Sequence, residues 1–303
     1  MTGLQRNIGD NTRAGIVLMI LTTMVFAAQD GISRHLAAQY NVYMVVMIRY
    51  WFFAVFVVAV AARSKGGFVA NVRTTQPALQ IFRGVLLALE ICVTVLAFVA
   101  LGLVEAHALF AVYPLMIAGL AALTLGERVG WRRWSAIAAG FLGLVVILQP
   151  GVRVFAPEAS LAIIAAVMFA LYGILTRLVA RRDSATTSFF WTGIGGAGAM
   201  TLIGVWFWQP MSGTDWIWMG ALSLTGVTGH FLLIKTYSLA EASAVQPFAY
   251  FQLVFASAIG VALFGETLRL TTVGGALIII GAGLFAFWRE AVSKRSTRVA
   301  DPL

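Results

Sequence analysis

The chain is poor in charged residues and in the residue types that build most soluble catalytic sites. Of its 303 residues, 11% are Asp, Glu, Lys or Arg, and it has one cysteine and three histidines. A soluble domain has roughly 25% charged residues. The single Cys92 excludes an intrachain disulfide framework. The sequence also lacks a His-Glu-x-x-His zinc motif and a Gly-x-x-x-x-Gly-Lys-Ser/Thr phosphate loop. We therefore expect no catalytic residues, no metal site, no cofactor and no ATP-driven step.

Hydrophobic sequence takes the place of these features, since 60% of the residues are hydrophobic. A bilayer core about 30 Å thick is crossed by a helix of about 20 apolar residues. The chain supplies enough apolar runs, joined by short linkers, for ten such helices. The sequence therefore predicts an all-α membrane protein embedded in a lipid bilayer. The predicted spans are 14–37, 42–62, 78–101, 106–125, 133–149, 159–179, 188–208, 216–237, 242–264 and 270–288.

Two short motifs occur twice, once in each half of the chain. Glu-Ala-His-Ala at 105–108 is followed by Gly-Glu at 126–127, and Glu-Ala-Ser-Ala at 241–244 is followed by Gly-Glu at 265–266. Each copy contains five predicted helices, and because five is an odd number the second copy enters the membrane in the opposite orientation. We therefore predict ten transmembrane helices as two inverted five-helix repeats. The predicted units are 14–149, 159–288 and a cytoplasmic tail, 289–303.

The basic residues predict the orientation of the chain. Most of the 21 Lys and Arg residues, with Arg83 counted among them, lie in loops or at span ends that are cytoplasmic if the N-terminus is cytoplasmic. We expect a multi-pass protein of a bacterial inner membrane with both termini in the cytoplasm. The net charge of +9 then reflects topology. It does not indicate nucleic-acid binding, because the cations are spread over several loops.

The two halves, each with a Gly-Glu turn after its fourth helix and a glycine-rich fifth helix, resemble the EamA-domain branch of the drug/metabolite transporter superfamily. The resemblance covers roughly residues 14–288 and is greatest to bacterial exporters of aromatic and other amino acids. It implies a secondary transporter with a central cavity lined mainly by helices 1, 3, 4, 6, 8 and 9. Helices 5 and 10 would form a scaffold, and a homodimer through them is left open. The fifth-helix glycines are Gly140 and Gly143, and Gly274, Gly275, Gly281 and Gly283.

Inverted repeats suit alternating access, in which a site near the bilayer midplane opens to each side in turn. We therefore expect a carrier that exports amino acids, aromatic and other, or related small metabolites across the inner membrane. An importer of another metabolite, such as a vitamin or nucleoside derivative, is the alternative on the same fold. A membrane-embedded enzyme or sensor would need a cluster of polar residues or an appended domain, and the sequence shows neither.

Charged residues inside predicted spans are the first site candidates, because a charge at a helix centre costs roughly 2.5–3.5 kcal/mol on insertion scales. Glu90 lies near the middle of the third span. It could bind a substrate ammonium group or take up a proton, and the alternative is a structural carboxylate bonded to another helix or paired with Arg49. Asp30 and Arg34 are one helical turn apart, so they could neutralise one another or form a gate at the outer end of helix 1. Arg49 itself is interpreted as structural.

Polar and aromatic residues on predicted cavity helices complete the candidate site. His230 is either a packing histidine or a group that titrates near physiological pH. Proline follows a tyrosine in helix 4 and a glutamine in helix 9, and interrupted helices at matching positions indicate a transporter site. Ordinary kinks are the alternative. The predicted substrate-binding residues are Glu90, Tyr113, Tyr172, His230, Gln246, Tyr250 and Gln252, and the predicted gating residues are Asp30 and Arg34.

Overall fold

The computed structural model describes residues 12–64, 67–124, 131–148, 157–179, 182–239 and 246–299. Within these ranges the fold is all-helical and contains no β-strand. Short 3-10 turns occur at Val205–Phe207 and Gln246–Tyr250. The α-helices are α1 (Thr12–Gln39), α2 (Val42–Arg63), α3 (Gly67–Val72), α4 (Pro77–Leu101), α5 (Leu103–Phe110), α6 (Tyr113–Thr124), α7 (Trp131–Leu148), α8 (Pro157–Val179), α9 (Ala185–Gly204), α10 (Gly213–Leu239), α11 (Phe251–Phe264) and α12 (Leu270–Val299).

Six of these helices are long and apolar enough to cross a membrane, namely α1, α2, α4, α8, α9 and α10. Four shorter apolar segments occur as well, at Leu103–Ile117, Trp134–Ile147, Phe248–Phe264 and Leu270–Phe285. Large apolar side chains such as Leu277 are exposed on the bundle surface. Lipid rather than water suits such a surface. These features establish a multi-pass helical membrane protein, while the count of ten spans and the inverted repeat remain predictions.

Helix packing determines which elements meet in the middle of the bundle. Helix α1 packs along α10, α8 packs along α4, and α2 lies against α9. Helix α7 packs along α12, where a Cβ added at Gly275 would lie 2.6 Å from the Gly143 carbonyl oxygen. Small residues at such a crossing let two backbones approach closely. The two helices predicted to be scaffold therefore pack on one another.

The fourth predicted span is interrupted near its proline, and the described part of the ninth begins with a 3-10 turn that contains its proline. Helix α5 ends at Phe110 and α6 begins at Tyr113, and a 3-10 turn at Gln246–Tyr250 precedes α11. Pro114 is the second residue of α6 and Pro247 the second residue of the 3-10 turn, positions at which a missing N–H is tolerated. The linker between the second and third spans contains α3, which the apolar pattern did not predict.

Arg83, which the sequence counts among the cytoplasmic cations, lies inside α4 with only 1% of its surface exposed, so it is not a loop residue. Its guanidinium donates hydrogen bonds to Gln80 Oε1 at 2.9 Å, to the Tyr172 hydroxyl at 3.0 Å and to the Ser188 carbonyl oxygen. These partners belong to α4, α8 and α9. Arg83 therefore joins three helices, and its charge is satisfied inside the protein.

Candidate functional site

Glu266 joins three helices at one end of the bundle, which we call the Glu266 end. Its carboxylate oxygens each accept a backbone hydrogen bond at 2.8 Å, Oε1 from the N–H of Leu103 and Oε2 from that of Val104. The same carboxylate forms an ion pair with Arg34 of α1. Both side chains are mostly buried, at 12% and 17% exposure. One side chain after α11 thus holds the start of α5 and the end of α1.

Glycines provide the space that Glu266 occupies. A Cβ added at Gly102 or at Gly260 would lie 2.7 Å from a carboxylate oxygen of Glu266. Gly102 has a φ of +88° and Gly265 a φ of +65°, a region that favours glycine. Gly265 caps α11 in the left-handed conformation, so the chain turns there and places Glu266 beside α5.

Asp30 binds partners on two other helices, deeper in the bundle than Arg34. Its Oδ2 accepts a hydrogen bond from Gln252 Nε2 at 2.9 Å and lies 3.1 Å from His107 Nε2. Asp30 and His107 are both buried. The expected mutual neutralisation of Asp30 and Arg34 was therefore wrong, since Arg34 pairs with Glu266. Spacing along one helix predicts which side chains share a face, but the helices packed on that face supply closer partners.

A small cavity lies in the middle of the bundle, between α2, α4 and α10. Its volume is about 10 Å³, which is close to the minimum for one water molecule. Ligand pockets usually measure about 300–1,000 Å³, so this cavity is too small to hold a substrate as it stands. The cavity is lined by Arg49, Tyr50, Phe53, Ile91, Ser223, Gly226, Val227 and His230.

Glu90 is buried beside this cavity, with 3% of its surface exposed. It accepts a hydrogen bond of 2.6 Å from Thr94, one turn along its own helix. Neither expected alternative partner is present, because within the described residues Glu90 bonds to no other helix and forms no ion pair with Arg49. Glu90, Asp30 and Arg49 nevertheless lie close enough to influence one another electrostatically.

His230 is the predicted binding residue that lines the cavity. Its ring stacks on Phe53, with centroids 5.8 Å apart and planes 9° apart, and meets the edge of Phe26 at 5.3 Å. Among the other predicted residues, Gln252 joins the Asp30 pair. The Tyr250 hydroxyl instead lies against α12, where a Cβ at Gly283 would be 2.0 Å away.

Tyr113 and Tyr172 belong to a separate aromatic cluster around Phe169. The Tyr113 ring meets the Phe169 ring edge-on at 4.8 Å, and the Tyr172 ring lies 6.0 Å from it. Since Arg83 donates to the Tyr172 hydroxyl, that polar tip is already engaged. The side chain of Gln246 lies outside the described residues, as do the Gly-Glu turn at 126–127 and the motif at 241–244.

The predicted site left out three residues that the structure places in these groups, of which Arg49 had been interpreted as structural. His107 and Glu266 both lie within the repeated motifs, but the motifs were read as markers of the repeat and not as contacts. Arg49 is a charge inside an apolar run, which is the same signal that identified Glu90. Among the described residues, no group of three or more His, Cys, Asp or Glu side chains could hold a metal ion.

A further ion pair and a wider cleft lie on the surface of the Glu266 end. Arg269 Nη1 lies 3.2 Å from Glu105 Oε1, and both side chains are substantially exposed, at 43% and 22%. The cleft beside them measures about 290 Å³ and reaches Glu266. Exposed pairs of this kind contribute about 0–1 kcal/mol.

Curated relatives of the chain are transporters with different substrates. An S-adenosylmethionine uptake transporter of Rickettsia prowazekii is 27% identical over 93% of this chain and 95% of the relative. A riboflavin transporter of Rhizobium johnstonii is 32% identical over 75% of this chain and 76% of the relative. The pseudopaline exporter CntI of Pseudomonas aeruginosa is 24% identical over 89% of this chain and 95% of the relative. These names do not support the expected amino-acid export.

Structural and family comparisons agree with these relatives. A chain in a solved crystal structure has a TM-score of 0.61 and 17% sequence identity, covering 90% of this chain and 97% of its own, which shows the fold. The EamA-like transporter family matches the chain twice, at residues 13–149 and 156–288. The chain is therefore a membrane transporter of small molecules and not an enzyme, and it belongs to the EamA-like transporter family.

Proposed function

We propose that the chain is a secondary carrier that moves S-adenosylmethionine, or a metabolite with a similar amino-acid group, across a bacterial inner membrane by alternating access. The observation that carries this proposal is the presence of buried charges of both signs in the middle of the bundle, because Arg49 lines the central cavity and the buried Asp30 and Glu90 lie close enough to interact with it electrostatically. Charges inside a membrane protein are costly and commonly mark substrate pathways. S-adenosylmethionine has a carboxylate, an ammonium and a sulfonium group that such side chains can bind.

The relatives support uptake of this substrate class. Four Rickettsia proteins named as S-adenosylmethionine uptake transporters are each 27% identical to this chain over more than nine-tenths of its length. The ring system of riboflavin is uncharged and would leave the buried charges without partners. Phe53 and His230 both line the cavity and stack on one another, so an aromatic side chain is present there on which an adenine ring can pack.

Alternating access requires that each end of the bundle can close. At the Glu266 end, the ion pair of Glu266 with Arg34 holds α1, α5 and α11 together. The two successive family matches support an inverted second repeat, which would bring the site to the opposite side of the membrane. We assign the gate at the Glu266 end to Arg34, Glu266 and Asp30, and we place both termini in the cytoplasm.

Asp183 occupies the opposite end of the bundle, in the turn between α8 and α9. It accepts hydrogen bonds from the side chains of Thr74 and Gln80 and from the N–H of Thr75. Burial alone would raise the pKa of this carboxyl group, but these hydrogen bonds outweigh burial and lower the pKa. The two ends are thus held by different polar groups, which fits a conformation closed on both sides.

Transport by purified protein in liposomes tests the proposal. Vesicles are supplied with labelled S-adenosylmethionine, riboflavin or phenylalanine, and the intact chain is compared with Glu90→Gln and with the surface control Glu105→Gln. We expect saturable S-adenosylmethionine flux that falls about tenfold or more in Glu90→Gln and stays unchanged in the control, because interactions of a buried charge contribute more than about 1.4 kcal/mol. Flux of riboflavin or phenylalanine, with no flux or competition by S-adenosylmethionine, would refute the substrate.

Export of an amino-acid-like metabolite is the second candidate, favoured by the similarity to the pseudopaline exporter. It shares the fold and the charged site with the first. Vesicles preloaded with labelled phenylalanine or S-adenosylmethionine separate the two by the cargo that leaves. In cells, accumulation of the cargo after deletion of the gene would indicate export, and loss of its uptake would indicate import.

A further inference from the structure

Arg49 is a buried cation that has no direct partner within the described residues. Its surface is 8% exposed, and it forms no hydrogen bond or ion pair there. The nearby carboxylates are already engaged, since Asp30 bonds to Gln252 and Glu90 to Thr94. Arg83, by contrast, is equally buried but has its donors satisfied. An unpaired buried charge is strongly unfavourable, so the site around Arg49 is incomplete without an anion.

The surroundings of Arg49 suit an oxygen anion. The Tyr50 hydroxyl is buried without a hydrogen-bond partner, and Tyr50 is among the residues that line the same cavity as Arg49 and Ser223, although its ring also packs against Gly196 of α9. A Cβ added at Gly226 would lie 3.2 Å from Arg49 Nε, so the glycine lets the guanidinium approach α10. Guanidinium binds a carboxylate through two parallel N–H groups. The hydroxyl groups of Tyr50 and Ser223 can donate hydrogen bonds to such an anion as well.

The charges around the cavity limit the kind of anion. With the histidines neutral, Arg49 contributes one positive charge, and Asp30 and Glu90 contribute two negative charges when ionised. A substrate with one carboxylate and two positive groups brings the total charge of Arg49, Asp30, Glu90 and substrate to zero. A phosphate dianion would increase the excess of negative charge, and a neutral substrate would leave Arg49 unpaired.

We propose that Arg49, with Tyr50, binds the carboxylate of a zwitterionic substrate, while the nearby charges of Glu90 and Asp30 balance its positive groups. This inference rests on the proposed function and adds the substrate feature that the cavity selects. Arg49 is then a specificity-determining residue. Two changes can therefore be combined, removal of the carboxylate from the substrate and removal of the guanidinium from the protein. Their effects on transport should not be additive.

The test combines two substrates with two variants. S-adenosylmethionine and its decarboxylated analogue compete for transport in liposomes that contain the wild type, Arg49→Gln or the control Arg63→Gln, an exposed arginine at the end of the same helix. We expect the wild type and the control to prefer the carboxylate form by about tenfold or more, and Arg49→Gln to discriminate by less than about threefold. Equal discrimination in Arg49→Gln and the wild type would overturn the proposal.

Two further measurements keep the inference separate from the proposed substrate. If Arg49→Gln does not fold, Arg49→Lys keeps the charge without the planar fork and should show an intermediate preference. If S-adenosylmethionine is not a substrate, thermal stabilisation of the detergent-purified protein is measured with L-methionine and L-methioninamide and with L-phenylalanine and L-phenylalaninamide. If an acid stabilises the wild type and its amide does not, and if Arg49→Gln abolishes this difference, the result would support Arg49 as the carboxylate-binding residue. It would at the same time refute S-adenosylmethionine as the substrate. If neither acid stabilises the wild type more than its amide does, the carboxylate-binding role of Arg49 would be overturned.

Discussion

Replacing Glu266 by Gln removes the charge from the carboxylate that joins α1, α5 and α11. The substitution keeps the size of the side chain and one carbonyl oxygen that can accept from Leu103. It removes the ion pair with Arg34 and places an amide N–H₂ group beside the N–H of Val104 or of Leu103. The closed form of the Glu266 end therefore loses two favourable interactions and gains a contact between donors.

The structure allows the size of this effect to be worked out. A hydrogen bond to a charged group contributes about 1.5–3 kcal/mol, and the partial exposure of Glu266 and Arg34 places the combined loss at about 2–3 kcal/mol. That corresponds to roughly 30- to 150-fold in the equilibrium between closed and open forms. The control Glu105→Gln breaks the exposed pair with Arg269, which contributes about 0–1 kcal/mol. It should change the equilibrium by less than about fivefold.

Cysteine labelling measures this equilibrium in the membrane. The native Cys92 is replaced by alanine, and Val104→Cys places one thiol at the α5–α11 contact, where the native side chain is 4% exposed and lies against Gly260. When opening is fast relative to labelling, the rate of modification by a water-soluble maleimide follows the open population. We expect Glu266→Gln to raise this rate at least about tenfold over Glu105→Gln. Equal rates in the two variants would refute the role of Glu266 in closure.

Three further predictions concern other parts of the molecule. Glu90→Gln should abolish any dependence of liposome flux on an imposed pH gradient, and a dependence that persists in this variant would exclude Glu90 from proton coupling. Asp183→Asn should lower the thermal midpoint at about pH 7. Because hydrogen bonds lower the folded-state pKa of Asp183, the difference from wild type should begin to shrink as pH falls below about 4 and should vanish only below that lowered pKa; a constant difference would contradict this. Gly275→Ala should destabilise the protein by about 1–3 kcal/mol in detergent, because its Cβ would lie 2.6 Å from the Gly143 carbonyl oxygen, whereas Gly274→Ala, with nothing within 4 Å, should not.

The sequence was informative where a single residue has an unambiguous cost in lipid. Apolar runs located the helices, and Pro114 and Pro247 located the interruptions, because proline cannot donate a backbone hydrogen bond. Glu90 was recognised as buried for the same kind of reason. The function class also followed, since the resemblance to the EamA branch was confirmed by the family match. The expected cargo was not, because the relatives that the chain matches are named for different substrates.

Partners across the bundle could not be predicted from spacing. Asp30 and Arg34 share a helix face, yet one binds His107 and Gln252 and the other binds Glu266. The position of Arg83 at the end of a predicted span suggests a loop cation, but its guanidinium N–H groups donate hydrogen bonds to residues inside the protein. Such contacts join residues far apart in the chain.

Local chemistry in the sequence thus determined that this chain lies in a bilayer, where its helices run and which residues would be costly to bury, because these properties depend on each segment and its solvent. Tertiary structure alone decided which buried charges are satisfied and which are not. Arg49 and Arg83 are the same residue type and both are buried, but the packing of α4 against α8 and α9 brings acceptors within hydrogen-bond distance of Arg83, while no acceptor of the described residues forms a hydrogen bond with Arg49. That difference depends on three-dimensional neighbours, and it separates a structural arginine from a candidate for substrate binding.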